Sequence, residues 1–179
     1  ILGDPKTLKN EASLRAFGRF VERLNGKYIT SVDSGTSDED MDIVKQETKH
    51  VVGSKQESGD PSPMTALGVF EGIKASLEFK HGSPNLDGKI VAIQGLGSVG
   101  HALAQLLHQA GAKLIVADIS GEKVQACEAE MNAEAVDVNQ ILFAECDVLA
   151  PCALGGIINP ETIPQLNTPI VAGAANNQL

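Results

Sequence analysis

The residues whose types and spacing most directly predict chemistry form one glycine-rich segment, Gly95-Leu96-Gly97-Ser98-Val99-Gly100. It stands between an apolar strand-like run and a helix pattern, the context in which G-x-G-x-x-G binds a dinucleotide. The first glycine permits a tight turn, the second lets a pyrophosphate approach the backbone, and the third lets helix and strand pack closely. The N–H groups and dipole of that helix favour phosphate. We therefore predict a dinucleotide site here rather than an ordinary strand–turn–helix connection.

An acidic residue at the end of the next predicted strand selects the dinucleotide. Asp118 follows Gly95 by 23 residues, where a carboxylate accepts hydrogen bonds from a ribose 2′-OH. The same carboxylate would repel a 2′-phosphate, and no Arg occurs among residues 119–122 to attract one. A charge-assisted hydrogen bond contributes about 1.5–3 kcal/mol, roughly a ten- to hundredfold difference in affinity. The sequence thus predicts NAD rather than NADP.

The elements that position this loop alternate between strand and helix. Apolar runs typical of parallel strands lie at 90–93, 114–117, 133–136, 147–150 and 169–172. Helix patterns lie at 64–79, 99–110 and 121–131. This alternation predicts an α/β fold, a Rossmann-type doubly wound parallel sheet.

A different pattern precedes the sheet. A helix is predicted at 10–24, a short strand at 28–30 and an acidic helix at 38–47. The run SKQESGDPSP then breaks the pattern with Ser, Gly and Pro, which predicts a domain boundary near residue 52.

Composition excludes several classes of function. The 179 residues carry 14 Lys and Arg against 23 Asp and Glu, a net charge of −9 that disfavours nucleic-acid partners. No apolar run reaches the roughly 18–20 residues of a membrane helix, so we expect no membrane partner. The cysteines and histidines show no metal-ligand spacing, so no metal site is predicted. Three cysteines without a pairing pattern suit a reducing cytoplasm.

Further segments accompany the glycine-rich one in a recognisable order. They are ILGDPKTLKNEASLRAFGRFVERLNGKYIT, VDSGTSDEDMD, GDPSPMTALGVFEGIKA, APCALGGIIN and AGAANNQL. Together they resemble the Glu/Leu/Phe/Val dehydrogenase family. The resemblance implies that residues 1–52 are the C-terminal part of an α/β substrate and oligomerisation domain, and that residues 53–179 are a truncated NAD-binding Rossmann domain. It also implies a cytoplasmic homo-oligomer.

The resemblance implies a reaction as well. Members of this family deaminate an L-amino acid oxidatively to its 2-oxo acid and ammonia, with hydride transfer to NAD. The GDPK segment and the YIT run are similar to the branched-chain and phenylalanine members, so we expect leucine or another branched-chain amino acid as substrate. Phenylalanine, valine and glutamate are alternatives. A non-catalytic NAD-binding or sensing module is the alternative from another class.

One aspartate matches the family's catalytic carboxylate. The resemblance implies that Asp33 orients a lysine and helps to move protons as water attacks the imine. Its place in a loop of small and polar residues suits a positioned carboxylate. Spacing alone favours a simpler role, in which Asp33 caps the turn with Ser34 and Gly35.

The resemblance assigns the remaining site positions one by one. Thr65 matches a threonine at the nicotinamide carboxamide, although a first-turn helix hydroxyl is an equal alternative. Asn176 and Asn177 match a pair near the nicotinamide and the substrate amine, although both residues are also common turn formers. Cys152 and Ala153 follow a strand and should pass near the cofactor riboses, with Cys152 packing rather than acting as a nucleophile.

The family's catalytic lysine lies in a GGGK-type segment upstream of the ILGDP match. We therefore expect this chain to be a fragment without that segment and without the C-terminal part. Lys6 and Lys9 follow the matched segment and are not substitutes. Alone, the chain is expected to turn over no amino acid.

Overall fold

The computed structural model describes residues 5–33, 35–54, 60–176 and 178. The chain divides into two compact units, Ile1–Pro61 and Ser62–Leu179. We call them the first unit and the second unit.

The described residues of the first unit form the helices α1 (Pro5–Leu8), α2 (Glu11–Arg23) and α3 (Asp38–Lys45). Asn10 and Ser37 are the N-cap residues of α2 and α3, and each forms a reciprocal capping box with the residue three positions later. The small core joins α2 to α3 through Leu14, Met41, Val44 and Val51.

The strand predicted at 28–30 is wrong as a strand. Within the described residues, Thr30 makes a single parallel bridge to Val51, while Tyr28 and Ile29 are exposed. The pairing does not extend to Tyr28 and Ile29, because their exposed side chains would add little buried apolar surface to a ladder.

The second unit is centred on a four-stranded parallel sheet in the order β3-β2-β1-β4, as the described residues define it. Its strands are β1 (Ile90–Gln94), β2 (Lys113–Ala117), β3 (Glu134–Ala135) and β4 (Val148–Pro151). Its helices are α4 (Ser62–His81), α5 (Ser98–Gln109) and α6 (Gly121–Met131). The prediction of a Rossmann-type parallel α/β sheet is confirmed.

The two faces of the sheet are covered differently. The three helices pack on one face, where buried residues such as Ile73, Leu103 and Cys127 contact Val91 and Val116. The other face is covered by irregular segments that include the short 3-10 turn Ile141–Phe143 and the side chains of Ile158 and Leu166. A second 3-10 turn spans Ile163–Gln165. The strand predicted at 169–172 is reduced to one bridge between Leu149 and Val171. No helix in the described part of the chain is long and apolar enough to cross a membrane.

Candidate cofactor and catalytic residues

The loop formed by residues 95–100, which we call the glycine loop, turns tightly between β1 and α5. Gly95 has a φ of +96°, a conformation that favours glycine. Its N–H donates to Ala117 O at 2.8 Å, and a Cβ here would lie 2.7 Å from Ala153. A Cβ at Gly100 would overlap the carbonyl oxygen of Gly95. These two positions therefore require glycine for the helix and strand to pack.

The middle of the glycine loop faces open space. Gly97 is the N-cap residue of α5, and beyond its own chain neighbours and helix backbone no described atom lies within 4 Å of the position that its Cβ would take. Within the described residues, no side-chain hydrogen bond caps this helix end. Leu96 is buried beneath the loop, whereas Ser98 is exposed and Val99 is half-buried against the core. An open backbone at a helix N-terminus with no side-chain cap fits a pyrophosphate.

The carboxylate of Asp118 is fixed against the glycine loop. Its Oδ2 accepts a hydrogen bond from Leu96 N–H at 2.6 Å, and its Oδ1 accepts one from Ser120 N–H at 2.8 Å. A carboxylate has about four acceptor positions, so these two bonds leave room for ribose hydroxyls. The next residue, Ile119, is 95 % exposed. The remaining acceptor positions of the Asp118 carboxylate therefore fit the ribose in the adenosine half of NAD.

The exit of β4 borders the same loop. Cys152 N–H donates to Gln94 O at 2.7 Å, and Ala153 contacts Gly95. The chain runs from β1 to β2 in one direction and later places β4 on the other side of β1. The carboxyl ends of β1 and β4 are therefore a topological switch point, the place where open α/β sheets bind ligands.

Burial raises the pKa of the Cys152 thiol, and the nearby Ala174 backbone N–H offsets this only in part. Since the thiolate is the nucleophilic form, Cys152 is suited to packing beside the loop.

A glycine beyond β4 was missed in the sequence. A Cβ at Gly173 would overlap the carbonyl oxygen of Pro151, which also accepts a hydrogen bond from Ala175 N–H at 2.9 Å. The segment that leads to Asn176 is thus held close to the exit of β4. A glycine directly after an apolar run was the available signal.

The remaining predicted cofactor and substrate positions are Asn176, Asn177 and Thr65. Asn176 is exposed, and its carbonyl oxygen accepts a hydrogen bond from the Gln178 side chain at 3.4 Å. Asn177 lies outside the described residues. Thr65 lies exposed in the first turn of α4.

Asp33 lies in the first unit, and we call the group formed by Asp33, Gly35 and Thr36 the Asp33 turn. Asp33 N–H donates to Thr36 Oγ1 at 2.8 Å, and that hydroxyl donates to Asp33 O at 2.8 Å. Thr36 N–H also donates to Asp33 O at 2.9 Å, and Gly35 has a φ of +83°. The backbone of Asp33 is therefore fixed while its side chain is exposed.

Two residues beside this turn, Lys9 and Asp40, contact each other. Lys9 Nζ donates to Gly35 O at 3.1 Å and pairs with the buried carboxylate of Asp40. The acidic run that contains Asp40 was interpreted as a charged helix start. The Ser-x-x-Asp spacing of Ser37 and Asp40 was the signal for a capping box, but nothing local indicated the contact with Lys9.

Two further observations concern metal binding and a groove on the second unit. Among residues 5–33, 35–54, 60–176 and 178, no three His, Cys, Asp or Glu side chains lie close enough to hold a metal ion. A groove of about 510 Å³ is lined by residues that include Ile90, Ile115 and Glu134. None of the predicted site residues lines that groove.

Comparison with known proteins identifies the domain. Residues 72–168 match the family described as "D-isomer specific 2-hydroxyacid dehydrogenase, NAD binding domain". The match begins within α4 and continues past β4, so it contains the glycine loop and Asp118.

Similarity to individual proteins extends over the whole chain. Leucine dehydrogenase from Geobacillus stearothermophilus is 55 % identical over 182 aligned positions, which cover all of this chain and 50 % of the relative. L-tryptophan dehydrogenase from Nostoc punctiforme is 46 % identical over all of this chain and 50 % of its own length. Its crystal structure superposes with a TM-score of 0.74 at 45 % identity, with the same coverage.

A more distant structure has the same fold. Hetero-hexameric glutamate dehydrogenase from Thermus thermophilus superposes with a TM-score of 0.70 at 24 % identity, covering 97 % of this chain and 49 % of that one. This chain spans about half the length of the relatives that it matches. It belongs to the Glu/Leu/Phe/Val dehydrogenase family, and its residues 72–168 belong to the NAD-binding domain family of the D-isomer specific 2-hydroxyacid dehydrogenases.

Proposed function

We propose that this chain is part of an NAD-dependent L-amino-acid dehydrogenase that deaminates its substrate oxidatively to the 2-oxo acid and ammonia. The observation that most directly supports this proposal is the contact of the Asp118 carboxylate with the glycine loop at the carboxyl ends of β1 and β2. The identity of 55 % with a leucine dehydrogenase over the whole chain supports the same reaction.

The residues that would hold NAD follow from the loop geometry. The backbone at Gly97 and the N-terminus of α5, including Ser98, bind the pyrophosphate, while Asp118 binds the adenosine ribose. Cys152 and Ala153 pass near the cofactor riboses, with Thr65 at the nicotinamide carboxamide and Asn176 near the nicotinamide. When held by these residues, NAD would supply the acceptor for the hydride from the amino-acid Cα.

The preference for NAD over NADP rests on charge. Both oxygens of Asp118 already face backbone N–H donors that hold the carboxylate in place. A 2′-phosphate at this position would meet a fixed negative charge, and no arginine follows among residues 119–122 to offset it.

Asp33 supplies the proton-handling group. Its backbone is fixed by Thr36 while its carboxylate remains exposed. In this proposal the carboxylate orients the family's catalytic lysine and helps to move protons as water attacks the imine. Asn177 is proposed near the substrate amine.

We propose leucine, or another branched-chain amino acid, as the substrate. The leucine dehydrogenase relative has a higher identity than the tryptophan dehydrogenase relative, 55 % against 46 %. Phenylalanine, valine and glutamate are the alternatives to be tested beside it.

The domain organisation, the oligomeric state and the cellular location are also part of the proposal. Residues 1–52 would complete a substrate and oligomerisation domain, and residues 53–179 the NAD-binding domain. We also propose that the protein is a homo-oligomer, as the resemblance to the family implies. Three free cysteines suit a cytoplasmic location.

The deciding experiment is an NAD-reduction assay with the whole encoded polypeptide. L-leucine, L-valine, L-isoleucine, L-phenylalanine and L-glutamate are compared at alkaline pH, each with NAD and with NADP. We expect turnover led by leucine with NAD. NAD binding without turnover on any amino acid would instead indicate a non-catalytic NAD-binding module.

A further inference from the structure

A lysine distant in sequence from the Asp33 turn contacts that turn directly. Lys9 lies between α1 and α2, and its Nζ donates to the carbonyl oxygen of Gly35 at 3.1 Å. The Lys9 side chain is only 24 % exposed, so its ammonium exchanges part of its hydration for protein acceptors. This contact ties the middle of the Asp33 turn to the segment that precedes α2.

The same ammonium also holds the element that follows the turn. It pairs with Oδ2 of Asp40, a residue that is 8 % exposed. That oxygen also accepts a hydrogen bond from Ser37 N–H at 2.8 Å, at the N-cap of α3. A carboxylate buried to this degree requires its cation. One cation therefore fixes both the turn and the start of α3.

Displacement of the turn would be transmitted to Asp33. The N–H and the carbonyl oxygen of Asp33 are both bonded to Thr36, and Thr36 adjoins the Gly35 carbonyl group that Lys9 holds. A shift of Gly35 and Thr36 would therefore move the backbone from which the Asp33 carboxylate projects.

We propose that Lys9 is a positioning residue for the reaction: it holds the Asp33 turn so that the Asp33 carboxylate meets the substrate in a productive orientation. The assignment rests on the proposed function of Asp33. Misplacement of a reacting group by about 1 Å can reduce the rate about 100-fold. A positioning role therefore lowers kcat, whereas KM for the amino acid and Kd for NAD change little.

A second cation in the same unit provides a matched control. Arg15 also joins α2 to the α3 region, through Glu47 at 3.1 Å and Gln46 at 2.6 Å. The substitution Arg15→Met removes this tie while leaving the contact between Lys9 and Gly35 intact. The pair Lys9→Met and Arg15→Met therefore separates positioning of the turn from general stability of the first unit.

The test uses the whole encoded polypeptide, assayed well below the melting temperature of each variant. For Lys9→Met we expect kcat for leucine deamination to fall about 10- to 100-fold, with KM and the Kd for NAD close to those of the unsubstituted protein. For Arg15→Met we expect a lower melting temperature and an unchanged kcat. Equal kcat values for the two variants would overturn the assignment.

A double variant distinguishes a loss of positioning from a loss of stability. Lys9→Met leaves the buried Asp40 charge without its cation, whereas Lys9→Met with Asp40→Asn removes the charge and keeps an oxygen for Ser37 N–H. We expect the double variant to regain melting temperature but not kcat. Recovery of kcat would show that stability, not the Gly35 contact, was responsible, and would overturn the assignment.

Failure of the proposed function can be distinguished from failure of the role of Lys9. An unsubstituted polypeptide that reduces NAD with none of the amino acids overturns the proposed function and the role of Lys9 together. An active polypeptide whose Lys9→Met variant behaves like Arg15→Met overturns the role of Lys9 alone.

Discussion

The glycine loop of the second unit and the Asp33 turn of the first unit are held in place by different kinds of interaction. The tight packing within the loop is a steric contact between close neighbours, since Gly100 packs directly on the carbonyl group of Gly95. The Asp33 turn depends on Lys9, which contacts Gly35 across 26 residues of chain. A local steric rule is visible as a sequence motif, whereas a long-range ionic contact is not.

The largest expected effect comes from the carboxylate of the Asp33 turn. Asp33→Asn keeps the backbone bonds to Thr36 and removes the group that moves the proton. We expect kcat for amino-acid oxidation to fall about 10²- to 10⁴-fold while the Kd for NAD is unchanged. Steady-state kinetics and NAD titration measure the two quantities. Asp137→Asn, in an exposed turn of the second unit, is the control, and a kcat equal to that of the control would refute the role of Asp33.

The next largest effect is expected at the carboxylate beside the glycine loop. Asp118→Asn removes the charge that favours a ribose 2′-OH and opposes a 2′-phosphate. We expect NAD to bind about 10- to 100-fold more weakly, and the ratio of NADP to NAD affinity to rise. The ratio is the decisive readout, because a general disturbance of the loop would weaken both cofactors alike. An unchanged ratio, as expected for Asp137→Asn, would mean that Asp118 does not select the cofactor.

A steric substitution tests the local character of the glycine loop. Gly100→Ala places a methyl group on Gly95 O, and we expect a loss of about 1–3 kcal/mol in the free energy of unfolding. Gly72→Ala in α4 is the matched control, since no atom lies within 4 Å of its new Cβ and a helix-interior alanine stabilises by about 0.5–1 kcal/mol. Denaturant titration measures both. Equal stability of the two variants would contradict the close packing.

The smallest effect concerns a long-range ionic contact within the second unit. Burial raises the pKa of Asp147, but the hydrogen bonds from Ile90 N–H at 2.8 Å and Lys89 Nζ at 2.9 Å outweigh it and leave the pKa below its ordinary value. A lowered pKa stabilises the fold above about pH 4, the ordinary value, and this stabilisation is lost as the pH falls through the lowered value.

We expect Asp147→Asn to lower the free energy of unfolding at pH 7 by at most about 1 kcal/mol, because the pair is partly exposed. The difference from the unsubstituted protein should shrink below about pH 4. Chemical denaturation from pH 3 to pH 7 measures it, beside Asp137→Asn. A difference that grows on acidification would reverse the assigned sign. A small loss of unfolding free energy for Asp147→Asn, beside a large loss of kcat for Lys9→Met, would sharpen the contrast between the two units.

Prediction from the sequence succeeded where neighbouring residues determine the structure. The helix predicted at 121–131 is α6, and the strand predicted at 90–93 is β1 with one more residue. The strands predicted at 28–30 and 169–172 shrink to single bridges, because β-propensity does not supply a pairing partner. The location of the glycine loop was predictable because, as in α6, residues that are neighbours in the sequence determine the local structure.

The remaining features of the candidate site depend on contacts that no local pattern contains. The Ser37–Asp40 capping box was readable from spacing, but burial of Asp40 against Lys9 joins residues 31 positions apart. Closure of the Asp33 turn by the Thr36 hydroxyl was likewise hidden, since a threonine three residues after an aspartate is common in solvated loops.

The bond from Leu96 N–H to the Asp118 carboxylate has a consequence for the evolution of cofactor preference. The group that would discriminate between the two dinucleotides is also the acceptor that satisfies the backbone of the phosphate loop. A lineage that drifts toward the phosphorylated dinucleotide must therefore replace that acceptor and add a cation at the same time. Such paired changes arise more slowly than single ones, so specificity at this loop is expected to be inherited conservatively.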